Sequence, residues 1–242
     1  YVNKKITLVE VGIGDGGSLF MWKKFLGKKA RIIGIELNPD AKKLEKKGFK
    51  IFIGDQSDPK FWKKFYRDVG KVDILIDDGG HTNIQQITTF MESVNNINNN
   101  GIIVIEDTHT SYLNFKGFKN PSKYSFINFS TNVIENIHRR NPTIKKSLNY
   151  ISKKIQSIHY YDSIVVVKIS KNQMTYAKNL ENNKKLRTSF VDYRFKRIQN
   201  NKTKKINQNK YVSYILSKIS KKGWIQRTYE NILIDRYLKK LK

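Results

Sequence analysis

Apolar residues in the first half of the chain follow two alternating patterns. Short, nearly unbroken apolar runs stand at Ile6–Val11, Arg31–Glu36, Lys50–Ile53, Val72–Asp77 and Ile102–Ile105. Runs of that length, bounded by Gly, Asp or Asn, read as buried strands. Between them the apolar positions take helical spacing. Leu19, Trp22, Phe25 and Leu26 mark a helix over Ser18–Leu26. Pro39 opens a short one over Asp40–Lys47, proline being suited to a first turn. Phe61, Trp62, Phe65 and Tyr66 mark another over Pro59–Val69. Thr82-x-x-Gln85 has the form of a capping box. It starts a long helix with Ile84, Ile87, Phe90 or Met91, Val94 and Ile97 on one face. Asn98-Asn-Asn-Gly101 is expected to stop that helix before the fifth strand. Strands alternating with helices predict an α/β domain: a parallel sheet covered on both faces, with ligands outside the carboxyl ends of its strands.

After the fifth strand the pattern loosens. Thr108–Lys123 reads as a long loop with aromatics, a candidate lid. Tyr124–Arg140 looks helical, with Ile127, Val133, Ile134 and Ile137. Ile155–Tyr160 and Ser163–Ile169 read as two strands around a tight Tyr161-Asp162 turn. From Ser170 onward no alternation remains. Asn182–Lys210 is polar and basic, with Tyr193 and Phe195 interleaved, and Tyr211–Leu241 has helical stretches. The expected division is therefore 1–169, the α/β domain, and 170–242, a basic and mostly helical extension.

Composition changes this picture at three points. The net charge is +27. It is uneven, since Ile169–Lys242 holds 20 Lys and Arg against 4 Asp and Glu. Such an extension suits an acidic partner, whether nucleic acid, glycan or membrane surface, or else is only a solvated face. Cysteine is absent, which excludes disulfides and thiolate metal sites and is compatible with a reducing, cytoplasmic setting. No run of 18 apolar residues or signal-peptide pattern exists. The chain starts at Tyr1, a few residues before the first strand, and is expected to be an excised domain or fragment.

The first strand leads into Leu8-Val-Glu10-Val-Gly12-Ile-Gly14-Asp-Gly16-Gly-Ser18. Glycines there allow a tight turn and close approach of backbone to a ligand. Gly12, Gly14 and Gly17 fit the dinucleotide fingerprint G-x-G-x-x-G. Glu10, Gly12, Gly14 and Gly16 fit acid-x-G-x-G-x-G, the signature of class I methyltransferases that use S-adenosylmethionine. Both patterns expect an acid at the end of the second strand, here Glu36, where it can accept bonds from ribose hydroxyls. Asp55, at the end of the third strand, matches only the methyltransferase, in which a polar residue there commonly faces the adenine. Acids at Glu10, Glu36 and Asp55 suit a cationic sulfonium and suit a pyrophosphate poorly. A dehydrogenase is disfavoured for that reason.

Acids also close the fourth and fifth strands. The fourth ends in Asp77-Asp78-Gly-Gly-His81, and the fifth in Glu106-Asp107-Thr-His109-Thr-Ser-Tyr112. Adjacent parallel strands bring their ends to within about 5 Å. Carboxylates converging there would raise one another's pKa. A hard divalent cation, Mg or Mn, relieves that, and an oxygen-rich set disfavours zinc. Taken singly, Asp-Asp-Gly as a plain turn and Asp107 as a helix cap are the simpler alternatives.

Together, Asp77-Asp-Gly-Gly-His81 and Ile105-Glu-Asp-Thr-His-Thr-Ser-Tyr112 resemble the metal-dependent sugar O-methyltransferases of the macrocin and mycinamicin type, and the related cephalosporin-hydroxylase-like family. The resemblance covers roughly residues 5 to 169, including Tyr160-Tyr-Asp-Ser-Ile-Val. It implies a Rossmann-like, seven-stranded class I methyltransferase sheet, closed by an antiparallel strand. It further implies S-adenosylmethionine as cofactor, Mg (or Mn) held by Asp78, Glu106 and Asp107, and His81 as general base. Asp77 falls on the cofactor side with Glu10, Gly12, Gly14, Gly16, Glu36 and Asp55. The expected acceptor is a sugar hydroxyl of a glycan or glycosylated metabolite, and a homo-oligomer is possible. A catechol-like diol is the neighbouring alternative. The other class of reading is an RNA methyltransferase or RNA-binding protein working through the basic extension, with Tyr193, Phe195 and Trp224 as stacking residues.

Overall fold

The computed structural model describes residues 1–113, 124–138, 151 and 154–170. Its core is a seven-stranded sheet in the order β3-β2-β1-β4-β5-β7-β6. The strands are β1 (Thr7–Val11), β2 (Arg31–Glu36), β3 (Lys50–Ile53), β4 (Val72–Asp77), β5 (Ile97–Ile105), β6 (Ile155–Tyr161) and β7 (Ile164–Ile169). The first five run parallel, and β7 enters antiparallel to both β5 and β6. This is the expected architecture, including the reversed last pair.

The order reverses beside β1, since β2 and β4 flank it on opposite sides. Chain leaving β1 and chain leaving β4 must therefore diverge, opening a crevice above the strand ends. Register sets the rim of that crevice. Val11 pairs with Asp77, and Asp77 with Ile105, so Asp78 and Glu106 emerge side by side.

Two apolar layers hold the sheet. On one face α2 (Pro59–Val69), α3 (Asn83–Ser93) and α4 (Phe126–His138) cover Val9, Val11, Ile33, Ile35, Leu75, Ile103 and Ile105. Trp62 and Phe65 of α2 are fully buried there. Burial of side chains this large contributes about 2–3 kcal/mol each. On the other face α1 (Gly17–Leu26) and a 3-10 helix (Pro39–Lys47) cover Leu8, Ile32, Ile51, Ile74 and Ile76. Asp58 and Asn38 cap their helices by accepting from Lys60 N and Asp40 N, with proline next in each case.

Some details differ from the sequence reading. The long helix ends at Ser93, and Ile97 already belongs to β5. Its helical spacing was incidental: Ile97 pairs with Val72 across a bulge, and Asn98 Nδ2 donates to Asp73 Oδ1. Tyr1 Oη donates to Asn100 O, so the polar Asn98-Asn-Asn segment is held by neighbours rather than by an apolar face. Phe25 and Ile84, expected inward, are 60% and 61% exposed. Thr108–Tyr112 forms a short 3-10 helix where a loop was expected. Residues 114–123 of the candidate lid, and all but Ser170 of the expected basic extension, lie outside the described residues.

Candidate active site

A cleft of ≈ 330 Å³ opens over the strand ends. Gly12, Gly14, Glu36, Asp55, Gln56, Asp78 and Gln85 line it, together with apolar Val11, Ile35 and Leu37. The left-handed turn at Gly12, φ 81°, brings its backbone against β4: a Cβ there would stand 2.1 Å from the Asp78 carbonyl oxygen. Only glycine permits this approach. Glu36 closes the turn from the other side. Its carboxylate accepts from Gly14 N at 3.0 Å, Leu37 N at 2.8 Å and Asn38 N at 3.2 Å. Asp55 accepts from Ser57 N and Ser57 Oγ, both at 2.7 Å, which fixes it at the mouth.

Three of the expected cofactor residues do not reach the cleft wall. Glu10 is 3% exposed, and its two oxygens accept from Ser18 Oγ at 2.7 Å and Trp22 Nε1 at 3.2 Å. It thereby pins α1 beneath the turn. Burial pushes its pKa up, and the two hydrogen bonds only partly oppose this. Gly16 packs over Leu44. Asp77 is fully buried, with Oδ1 accepting from Gln56 Nε2 at 2.8 Å and from Gly79 N at 3.2 Å. Its pKa is raised, again chiefly by burial.

The second group stands at the lip of the same cleft. Asp78, His81 and Asp107 offer ligand atoms within 4.8 Å of one another. His81 Nε2 lies 3.9 Å from Asp78 Oδ1 and 3.5 Å from Asp107 Oδ2. Glu106 stands beside this group rather than within it. Partial burial raises its pKa, and Asp78, Glu10, Asp107 and Asp77 raise it further. Asp78 is raised by burial and by Asp107, against the opposing effect of His81. His81 and Asp107 both adopt left-handed backbone, φ 57° and 50°. Non-glycine residues adopt that conformation uncommonly, Asp and His more readily than most. Thr110 Oγ1 ties the two residues together, at 2.9 Å from His81 O and 2.8 Å from Asp107 O. His109 lies just outside, with Nδ1 3.8 Å from Asp107 Oδ1 and 2.6 Å from Ser163 Oγ.

Two wall residues escaped the sequence reading. Gln56 follows Asp55 and turns into the protein. Gln85 carries a capping signal in the sequence. It does accept from Thr82 N at 3.2 Å, yet it also lines the cleft.

No known family model matches the chain. Among curated proteins it is 30% identical over 184 residues to mycinamicin VI 2''-O-methyltransferase of Micromonospora griseorubida, covering 71% of this chain and 46% of that one. It is 28% identical over 179 residues to demethylmacrocin O-methyltransferase of Streptomyces fradiae, covering 69% and 45%. Among solved structures it superposes with a TM-score of 0.61 on the MycE methyltransferase of the mycinamycin pathway in complex with Mg and SAH. The identity is 28%, over 70% of this chain and 46% of that one. The chain thus spans about half the length of the curated relatives it matches. The described residues have the class I methyltransferase fold and resemble the macrocin and mycinamicin type of sugar O-methyltransferase. An RNA acceptor is not favoured by these relatives.

Proposed function

We propose that the chain is an S-adenosylmethionine- and divalent-metal-dependent O-methyltransferase acting on a sugar hydroxyl of a glycan or glycosylated metabolite. The observation that carries this reading is Asp78. It lines the glycine-walled cleft and also belongs to the Asp78, His81 and Asp107 group. One residue therefore joins the cleft proposed for the cofactor to the group proposed for the cation. The named relatives are sugar O-methyltransferases, and MycE has been solved with Mg, SAH and mycinamycin VI.

The residues fit both ligands. Glu36 and Asp55 offer carboxylate oxygens at the mouth of a cleft whose glycine turn leaves backbone exposed. Asp78, Glu106 and Asp107 form an oxygen-rich set of converging charge, the donor chemistry of Mg or Mn. When bound, the cofactor supplies an electrophilic methyl group and the cation lowers the pKa of the acceptor hydroxyl. His81 Nε2, near Asp78 and Asp107, would take the hydroxyl proton. Asp107 and Asp78 then stabilise the imidazolium. Glu10 and Asp77 act from behind, the first holding α1 and the second holding the turn that carries Asp78. The absence of cysteine fits a cytoplasmic enzyme, and among the described residues no helix is long and apolar enough to cross a membrane.

Calorimetric titration of S-adenosylhomocysteine and Mg into this protein and into Asp78→Ala tests the reading, followed by methyl transfer to a panel of glycosylated small molecules. Binding of both ligands, with Mg lost in the variant, supports it. Failure of the wild type to bind either ligand sinks it.

A further inference from the structure

Gln56 is 6% exposed, and its position is unusual for a polar side chain next to a ligand cleft. The residue before it, Asp55, stands at the mouth. Gln56 turns the other way and crosses beneath the cleft to the exit of β4. Its Nε2 donates to Asp77 Oδ1 at 2.8 Å and to Thr89 Oγ1 of α3 at 3.1 Å. Its Oε1 accepts from Gly80 N at 2.9 Å, and its backbone carbonyl accepts from Trp62 Nε1 of α2 at 2.8 Å. Both amide protons and the amide oxygen are thus engaged.

These contacts clamp one turn at both ends. Asp77 and Gly80 bracket Asp78-Gly79, and Gly80 precedes His81. Fit is close in between, since a Cβ on Gly79 would stand 1.9 Å from Gln56 Oε1. A shift of the 54–56 segment would therefore strain the turn that carries Asp78 and leads to His81. Low-dielectric surroundings make a fully satisfied amide of this kind stiff, and leaving any member unpaired is costly. Simple wall packing would need only an apolar side chain of the same size.

Resting on the methyltransferase reading, we propose that Gln56 is a positioning residue that links occupancy of the cofactor cleft to the geometry of the Asp78–His81 turn, so that cofactor and divalent cation bind cooperatively. Filling the cleft against Asp55 fixes the 54–56 segment. The amide passes that order to the turn, and the cation then meets ligands already in place. Coupling of this kind is reciprocal and runs from about fivefold upward in affinity.

The test measures the Mg dissociation constant with and without saturating S-adenosylhomocysteine, in wild type, Gln56→Leu and Gln56→Asn. Leucine keeps volume and removes all three side-chain hydrogen bonds. Asparagine keeps an amide but is a methylene short of spanning Asp77 and Gly80, and it carries the test should the leucine variant fail to fold. The expected result is that the cofactor product tightens Mg binding at least about fivefold in wild type, and that this ratio falls towards one in the variants while each ligand still binds alone. A merely structural role would lower the melting temperature and leave the ratio unchanged, which would overturn the proposal. Independent binding of the two ligands in wild type would overturn it too while sparing the methyltransferase reading. Only failure of wild type to bind either ligand removes both.

Discussion

The two halves of the cleft solve opposite electrostatic problems. On the β1–β2–β3 side, the acidic residues at the wall are already answered by the protein: Glu36 accepts from three backbone N–H groups and Asp55 from Ser57 N and Oγ. On the β4–β5 side, carboxylates face one another, and Asp78 and Glu106 are pushed towards their protonated forms. On the proposed reading, the first half suits a neutral group such as a ribose and the second a divalent cation. Similar residues at equivalent strand ends thus predict different ligands, and the number of N–H donors reaching each carboxylate tells them apart.

The sharpest way to break this contrast is Asp78→Asn. Methyl transfer should fall by about three orders of magnitude, since the cation and its charge stabilisation supply several kcal/mol. Binding of S-adenosylhomocysteine, measured without Mg, should stay within about threefold of wild type, because a neutral amide still lines the wall. Parallel loss of cofactor binding would show that the halves are one site. Glu36→Gln is the reciprocal test. Removing charge-assisted bonds of about 1.5–3 kcal/mol should weaken the cofactor product about tenfold to a hundredfold and leave Mg affinity unchanged, each ligand titrated alone by calorimetry. A drop in Mg affinity instead would refute the division.

The smallest expected effect concerns pH. Folded-state pKa values raised in Asp78 and Glu106 mean that the folded protein binds protons more tightly than the unfolded one. Their contribution therefore destabilises at neutral pH and is relieved as pH falls through the raised values towards the ordinary carboxylate range, near 4. The cation competes with those protons, so its stabilisation of the fold should shrink over the same window. Melting temperatures with and without Mg at pH 7.5 and 5.5 should differ more at the higher pH. Glu106→Gln should flatten that dependence, and an equal Mg effect at both pH values would count against the metal assignment.

Much of this was legible in the chain. Arg31–Glu36, Lys50–Ile53, Val72–Asp77 and Pro59–Val69 were bounded correctly, because each is an apolar pattern closed by a glycine or an acidic residue. The site acids could be placed because strand ends point at the crevice. What could not be read was which way a carboxylate turns after its strand ends. Glu10 turns towards Ser18 and Trp22, and Asp77 towards Gln56, through partners 8 to 21 positions away. Ile97 misled for a similar reason, since its strand pairing depends on Val72 and a bulge that leave no periodic trace.

The left-handed backbone at His81 and Asp107 has an outcome for mutational scans. Each residue is held in a conformation that costs a side-chain-bearing position about 1 kcal/mol or more in sterics and a glycine no such steric penalty. Glycine at either position should therefore be tolerated, or even enriched, in a screen that scores only how much protein accumulates. A screen that scores turnover should discard the same substitutions. Laid side by side, the two rankings would cross at these positions, and that inversion would locate the reacting centre without any substrate in hand.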